Sequence, residues 1–243
     1  MPTAGAGRTA GSLVVALGGA VAFLASLLWG TYAYLYGFDA RPSWRTAAAP
    51  VTVDVGLFTL FALHHSLFAR TGAKRLVERH APPALERSIY TWAASLLFII
   101  VCALWQPVPG TLYRLEGAAR AVAYSVQLAG MTLTIHSASV LGFFELAGVG
   151  QVRRARRHMA DAHVPLETRG VYGFVRHPLY FAWVLMVFAT PDMTATRLTF
   201  AIVSTAYLAI AIPWEERSLV QVFGRDYEAY RQQVRWRMFP GVY

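Results

Sequence analysis

Charge is scarce in this chain. Only 14% of its 243 residues are Asp, Glu, Lys or Arg, against about 25% in an average soluble domain. Hydrophobic residues make up 56%, and the mean hydropathy is +0.41. Such a composition excludes an ordinary soluble domain. Cysteine is scarcer still: Cys102 stands alone. One thiol excludes an internal disulfide framework and a cysteine-based zinc site, and no metal site of any kind is expected. The chain has no internal repeat and no low-complexity linker. It reads as a single membrane domain over residues 1–243, with a four-helix part at 1–144 and a loop, helical hairpin and tail at 145–243.

What the sequence does hold is long apolar runs. A helix needs about 20 mostly apolar residues to cross the bilayer core. Residues 12–37, 51–69, 89–105 and 121–144 meet or approach that length. Residues 179–190 and 195–213 form a further pair, broken by "TPDMT", which reads as a tight hairpin with a short first arm. The expected fold is therefore all-α: a polytopic integral membrane protein with five to six transmembrane helices, including a C-terminal helical hairpin. The first run exceeds the 7–15 residues of a signal-peptide core, and only Arg8 precedes it, so it reads as a retained span.

The formal net charge of +9 invites a nucleic-acid reading, but its placement opposes one. Basic residues gather at 70–87, 153–176 and 217–237, whereas the other connections hold only Arg41, Arg45, Arg114, Arg120 and Arg197. Cytoplasmic loops carry the excess of Lys and Arg. With six crossings this puts both termini and the basic segments on the cytoplasmic side, in a bacterial-type inner membrane. The partner is then the lipid bilayer, not nucleic acid.

The sequence "GVYGFVRHPLYFAW" at residues 170–183 places Arg176 and His177 at the lip of the hairpin. Pro178 suits the first turn of a helix, because its missing N–H would be unpaired there anyway. The free N–H groups and positive dipole end of such a helix attract anions. Across the hairpin, Glu215 and Glu216 close the last apolar run. Adjacent helical residues point about 100° apart, so one glutamate can face inward while the other faces water. A carboxylate near hydrocarbon is costly unless paired. Two readings fit these residues. In one, Arg176 and His177 snorkel beside an aromatic belt of Tyr172, Tyr180 and Trp183. In the other, an anion-binding helix start next to a carboxylate holds a ligand with both signs of charge.

"RHPLY", followed about thirty-five residues later by "EERSL" and then "FGRDYEAYRQQV", resembles the signature of the integral-membrane S-adenosylmethionine-dependent methyltransferases. These include the isoprenylcysteine carboxyl methyltransferases and the phospholipid N-methyltransferases. The resemblance implies S-adenosyl-L-methionine as cofactor, in a cytoplasm-facing pocket made by the hairpin and tail. Carried across, it implicates Tyr172, His177, Pro178, Leu179, Tyr180 and Glu215 in holding the cofactor, with backbone contacts from Val164, Pro165, Leu166 and Glu167. Arg176 and Glu216 stand beside them, Glu216 in a more structural part. Tyr227, Tyr230 and Trp236 read either as an interfacial lid over that pocket or as a plain surface helix.

The first half of the chain bears on the methyl acceptor. "LFALHHSLFAR", "PPALERSIY", "WQPVPG" and "FFELAGVGQV" resemble the methanethiol S-methyltransferase group of the same superfamily. That resemblance implies a small hydrophobic thiol as substrate and dimethyl sulfide as product. The isoprenylcysteine enzymes carry an arginine four residues before the cofactor glutamate, where this chain has Ala211. That departure opposes a prenylcysteine carboxyl acceptor. A thiol reacts as its thiolate, so a base or a positive field is wanted. His64, His65 and His136 lie within apolar runs and are candidates for it, as is Arg70 at the mouth; interhelical hydrogen bonding to Ser66, Ser137 and Ser139 is the structural alternative. Rival functions are phospholipid N-methylation, a membrane sterol-reductase-like oxidoreductase with a similar C-terminal pattern, and a non-catalytic scaffold.

Overall fold

The computed structural model describes residues 4–41, 45–68, 79–157, 159 and 165–243. Arg70 and Val164 lie outside the described residues. The protein is helical, with eight principal helices among the described residues: α1 (Ala4–Tyr32), α2 (Ala48–Phe68), α3 (Glu86–Leu104), α4 (Gly117–Leu141), α5 (Val149–Arg156), α6 (Pro178–Phe188), α7 (Ala195–Phe223) and α8 (Arg225–Gln233). Among the described residues four stretches are long and apolar enough to cross a membrane: Gly11–Gly37, Ala48–Ser66, Pro83–Leu104 and Ala195–Phe223. At 25 residues α4 is also long enough, but Gln127, Thr132, Thr134 and His136 make it more polar. α6, with 11 residues, is shorter than a full crossing. The protein is an all-α polytopic membrane protein.

The chain forms two compact units. The first comprises Met1–Arg41, Val53–Gln106 and Gly142–His163. In it Trp92 of α3 donates to the Val15 carbonyl of α1 at 2.9 Å, and Phe98 lies against Gly30. The two contacts progress in the same sense, so α1 and α3 run parallel. The hydrophobic face of α5 packs beside them, where Val149 and Val152 join Ala16, Ala20 and Leu85 in one buried cluster. Gly148 precedes α5 with φ +81°, and a Cβ there would stand 2.7 Å from the Ser88 backbone nitrogen. Both its left-handed conformation and its close approach need glycine. Within α2, Asp54 is fully buried. Its Oδ1 accepts the Gln106 N–H at 2.7 Å, which holds the end of α3 beside stacked Trp105 and Phe38.

The second unit comprises Pro42–Thr52, Pro107–Leu141 and Val164–Tyr243. Its centre is the hairpin of α6 and α7, tied by Trp183 Nε1 donating to Ser204 at 2.9 Å. α4 lies against α6 at close range. A Cβ on Gly130 would come within 2.8 Å of the Ala182 carbonyl oxygen, and Gln127 donates to the Met186 carbonyl at 3.0 Å. The "TPDMT" break is more than a turn: Asp192–Thr194 pairs antiparallel with Thr111–Arg114, and Arg120 grips Asp192 with both nitrogens at 2.9 and 3.3 Å. This pairing joins segments some eighty residues apart, which no local pattern announces. Thr194 then caps α7 by accepting the Arg197 N–H.

The second arm runs on past Pro213 to Phe223 as one 29-residue helix. Proline offers no N–H to the carbonyl four residues back, here that of Ala209. The Tyr243 hydroxyl donates to that carbonyl at 3.1 Å instead. One part-buried acceptor is satisfied and the tail is fastened to the hairpin in the same contact.

Candidate functional site

The polar chemistry of the second unit gathers at the lip where α6 begins. His177 is the N-cap residue and Pro178 the first helical residue. The tail passes directly beneath: the Arg176 N–H donates to the Trp236 carbonyl at 2.9 Å, and the His177 N–H to the Arg237 carbonyl at 2.8 Å. The lip is therefore clamped by main-chain bonds before any side chain is considered.

Arg176 and Glu216 make the buried foundation. Their side chains are 5% and 3% exposed, with Arg176 Nε 2.6 Å from Glu216 Oε1. The other end of the guanidinium donates to the Val234 and Arg235 carbonyls. Glu216 is further approached by Arg237 at 3.4 Å and Arg231 at 3.8 Å. Arg176 is thus a strut between hairpin and tail, and its charge is spent inside the protein.

Glu215 behaves differently. Its side chain is 43% exposed, and Oε2 accepts the Tyr180 hydroxyl at 2.7 Å. The Tyr180 ring stacks on His177 with centroids 5.3 Å apart and planes 9° from parallel. His177 itself is buried between the two carboxylates, with Nδ1 3.7 Å from Glu215 and Nε2 3.5 Å from Glu216. Both separations exceed a good hydrogen bond, so the imidazole is placed by stacking and main-chain bonding. Leu179 is partly buried alongside.

Below the lip lies an aromatic layer. The Tyr230 hydroxyl donates to the Tyr172 carbonyl at 2.7 Å, and Tyr227 packs on Tyr230. Both tail tyrosines face inward, at 1% and 3% exposure. The Tyr172 hydroxyl is buried with no hydrogen-bond partner. Burial first, then the Glu167 and Glu215 carboxylates, push its phenol up to about 12. Leu166 packs against the tail tyrosines. Glu167 turns back on its own backbone and accepts the Thr168 and Arg169 N–H groups, while Pro165 is exposed.

The second unit therefore brings together Tyr172, Arg176, His177, Pro178, Leu179, Tyr180, Glu215 and Glu216. His136, on α4 of the same unit, presents an exposed side chain, whereas its neighbour Ser137 is fully buried with its hydroxyl unpartnered. His64 and His65 belong to the first unit. There His65 Nδ1 lies 2.7 Å from the Tyr90 hydroxyl, and the Tyr90 ring stacks on His64 at 5.9 Å. The sequence reading overlooked Arg231, Arg237 and Asp54. For the two arginines the signal was the basic tail itself, read as an interfacial lid or a plain surface helix. For Asp54 it was a lone acid inside an apolar run.

Membrane-length apolar helices and a clamped polar lip between the arms of a hairpin define a polytopic membrane protein built around a hairpin-end site. Residues 131–221 match the isoprenylcysteine carboxyl methyltransferase family. The chain is 35% identical over 193 residues to a methanethiol S-methyltransferase of Crocosphaera subtropica, covering 79% of this chain and 76% of that one. It is 33% identical over 226 residues to a methanethiol S-methyltransferase of Mycobacterium tuberculosis, covering 89% and 92%. It also resembles Nurim of Xenopus laevis, 32% identical over 171 residues, covering 66% and 59%. No solved structure matches it. The chain belongs to the membrane methyltransferase family that holds the methanethiol S-methyltransferases.

Proposed function

We propose that this protein is an S-adenosylmethionine-dependent methyltransferase of a bacterial-type inner membrane, with termini and active site cytoplasmic, converting methanethiol to dimethyl sulfide. The observation that carries the cofactor half of this reading is Glu215. It is an exposed carboxylate fixed by Tyr180, over a stacked His177, on a foundation that Arg176 and Glu216 make rigid. Such a lip offers a carboxylate to a ligand ammonium and an arginine-rich surround to a ligand carboxylate. The unpartnered Tyr172 hydroxyl fits a polar ligand too. These residues suit the cofactor's zwitterionic end, and Tyr172, His177, Pro178, Leu179, Tyr180 and Glu215, with residues 164–167, are assigned to hold it. When bound, S-adenosylmethionine supplies an electrophilic methyl group on a sulfonium.

The residues of the chain orient and desolvate. His177 and Tyr180 present a flat stacked surface, and the apolar body of α6 keeps water from the acceptor side, where a sulfur nucleophile must be aligned. The acceptor reading is supported by the names of the relatives and by Ala211, which stands where the isoprenylcysteine enzymes carry an arginine. The acceptor thiol must lose its proton; His136, His64 and His65 are the candidate bases, with Arg70 a candidate for lowering the thiol's pKa.

The test uses purified protein in nanodiscs with methyl-labelled S-adenosylmethionine and methanethiol, following label into headspace volatiles and into lipid. Label in dimethyl sulfide, lost in Glu215→Ala, is the expected result. Label only in lipid moves the acceptor to phospholipid. Absence of both binding and transfer overturns the reading and favours an oxidoreductase or a non-catalytic scaffold.

A further inference from the structure

The first unit carries a charged surface that the hairpin chemistry does not use. α5 is eight residues long, buried at its start and exposed at its end. Val149 and Val152 are buried at 0% and 1% exposure against Ala16, Ala20 and Leu85. Ala16 lies in the apolar stretch Gly11–Gly37, and Leu85 is near the start of Pro83–Leu104. The helix is thereby fixed at the ends of two membrane-length helices. The last turn of the helix and the residue after it expose Arg153, Arg156 and Arg157.

Arg154 does not belong to that outer set. It makes a bidentate pair with Glu145, at 2.7 and 2.9 Å, and Arg87 donates to the Glu145 carbonyl at 3.1 Å. The hydrogen bond from Arg154 holds the Glu145 carboxyl below its usual range. So Glu145, at the start of this segment, is taken by an inward brace and does not neutralise the outer arginines. Arg153 sits 5.0 Å over the Phe144 ring, and Phe144 and Met159 are 48% and 58% exposed. Exposed arginine next to exposed apolar side chains, on a helix held at the ends of spans, has the make-up of an interfacial surface.

We propose that α5 and the flanking Phe144 form a docking surface for anionic phospholipid headgroups. The guanidinium forks onto phosphate oxygens through two parallel hydrogen bonds, and basic residues next to a span are drawn to an anionic leaflet. Phe144 and Met159 enter the headgroup–acyl boundary, and the Arg154–Glu145 brace keeps the three outer arginines in register. A soluble polyanion such as RNA would match the charge but would leave Phe144 and Met159 in water.

The test is headgroup selectivity of the full-length protein. In native mass spectrometry, binding of phosphatidylglycerol is compared with that of phosphatidylcholine of identical chains. Each guanidinium near the surface contributes about fivefold. The wild type is expected to favour the anionic lipid at least tenfold. The variant Arg153→Gln/Arg156→Gln/Arg157→Gln should fall to near parity with its melting temperature unchanged. A triple variant that keeps the wild-type preference overturns the proposal. Should that variant not fold, Phe144→Trp in the otherwise unchanged chain decides. Its added emission is quenched by brominated phosphatidylglycerol more than by brominated phosphatidylcholine if the surface docks anionic lipid. Equal quenching, or none, overturns it, as does tighter binding of RNA than of phosphatidylglycerol.

Discussion

Glu215 and Glu216 are neighbours with opposite situations, and the difference is testable. Glu216 compensates a buried guanidinium at 2.6 Å. Breaking a buried pair from one side strands a charge and costs about 3–5 kcal/mol. Glu216→Gln should therefore lower the melting temperature in detergent steeply, with cofactor binding lost as a consequence of unfolding. Glu215 is 43% exposed and supports no buried charge. Glu215→Gln should keep the wild-type melting temperature, yet weaken S-adenosylmethionine at least tenfold by calorimetry, the size of about one charge-assisted hydrogen bond. Equal effects from the two variants would remove the distinction. Tyr243→Phe removes the donor that satisfies the Ala209 carbonyl opposite Pro213. It should cost about 1 kcal/mol of stability in a chemical-denaturation series, the usual net worth of one hydrogen bond.

Among elements, the α4–α6 contact depends on the absence of a side chain at one position. A methyl at Gly130 would meet the Ala182 carbonyl at 2.8 Å. Two backbones cannot yield cheaply, and overpacking of this kind costs about 1–3 kcal/mol. Gly130→Ala should lower thermal stability by that amount, and Gly130→Val by more, which a thermal series on the two variants measures. The tail helix makes a second prediction. Burial raises the phenol of Tyr172 from 10 to about 12, and burial foremost also carries Tyr227 and Tyr230 well above the usual range. A phenol raised in the folded state binds its proton more tightly there than in the unfolded chain. Stability is thus unaffected below about pH 10 and falls as pH rises through about 12. Absorbance titration should show these three phenols ionising late, together with loss of the tail's packing; ionisation at the ordinary value would contradict their burial.

For the whole molecule, the prediction is orientation. The proposed topology puts the positive segments at 70–87, 153–176 and 217–237 on the cytoplasmic side, so a fluorescent protein fused after Tyr243 should be bright in the cytoplasm, and alkaline phosphatase at the same place inactive. An active phosphatase would reverse the proposed topology. Much of this scale was legible in the sequence. Bilayer thickness translates directly into the length of an apolar run, so the four membrane-length helices and the short first arm of the hairpin could be read from hydropathy alone. Less legible was where elements end, because α7 runs on through Pro213, with a distant hydroxyl taking the orphaned carbonyl.

Local chemistry and composition by themselves determined that this chain enters a membrane, that Pro178 opens a helix, and that charged residues gather at the hairpin lip. These depend on hydropathy, backbone geometry and neighbours a few residues away. Only the tertiary structure decided what each charge does there. Arg176 and Glu216 went inward as a strut, Glu215 stayed outward on Tyr180, and the tail tyrosines packed beneath the lip instead of lying on its surface. It also decided that residues 111–114 pair with 192–194. The reason is that a buried charge or an open backbone group takes whichever partner the fold brings within about 3 Å, and in this protein those partners stand tens of residues away.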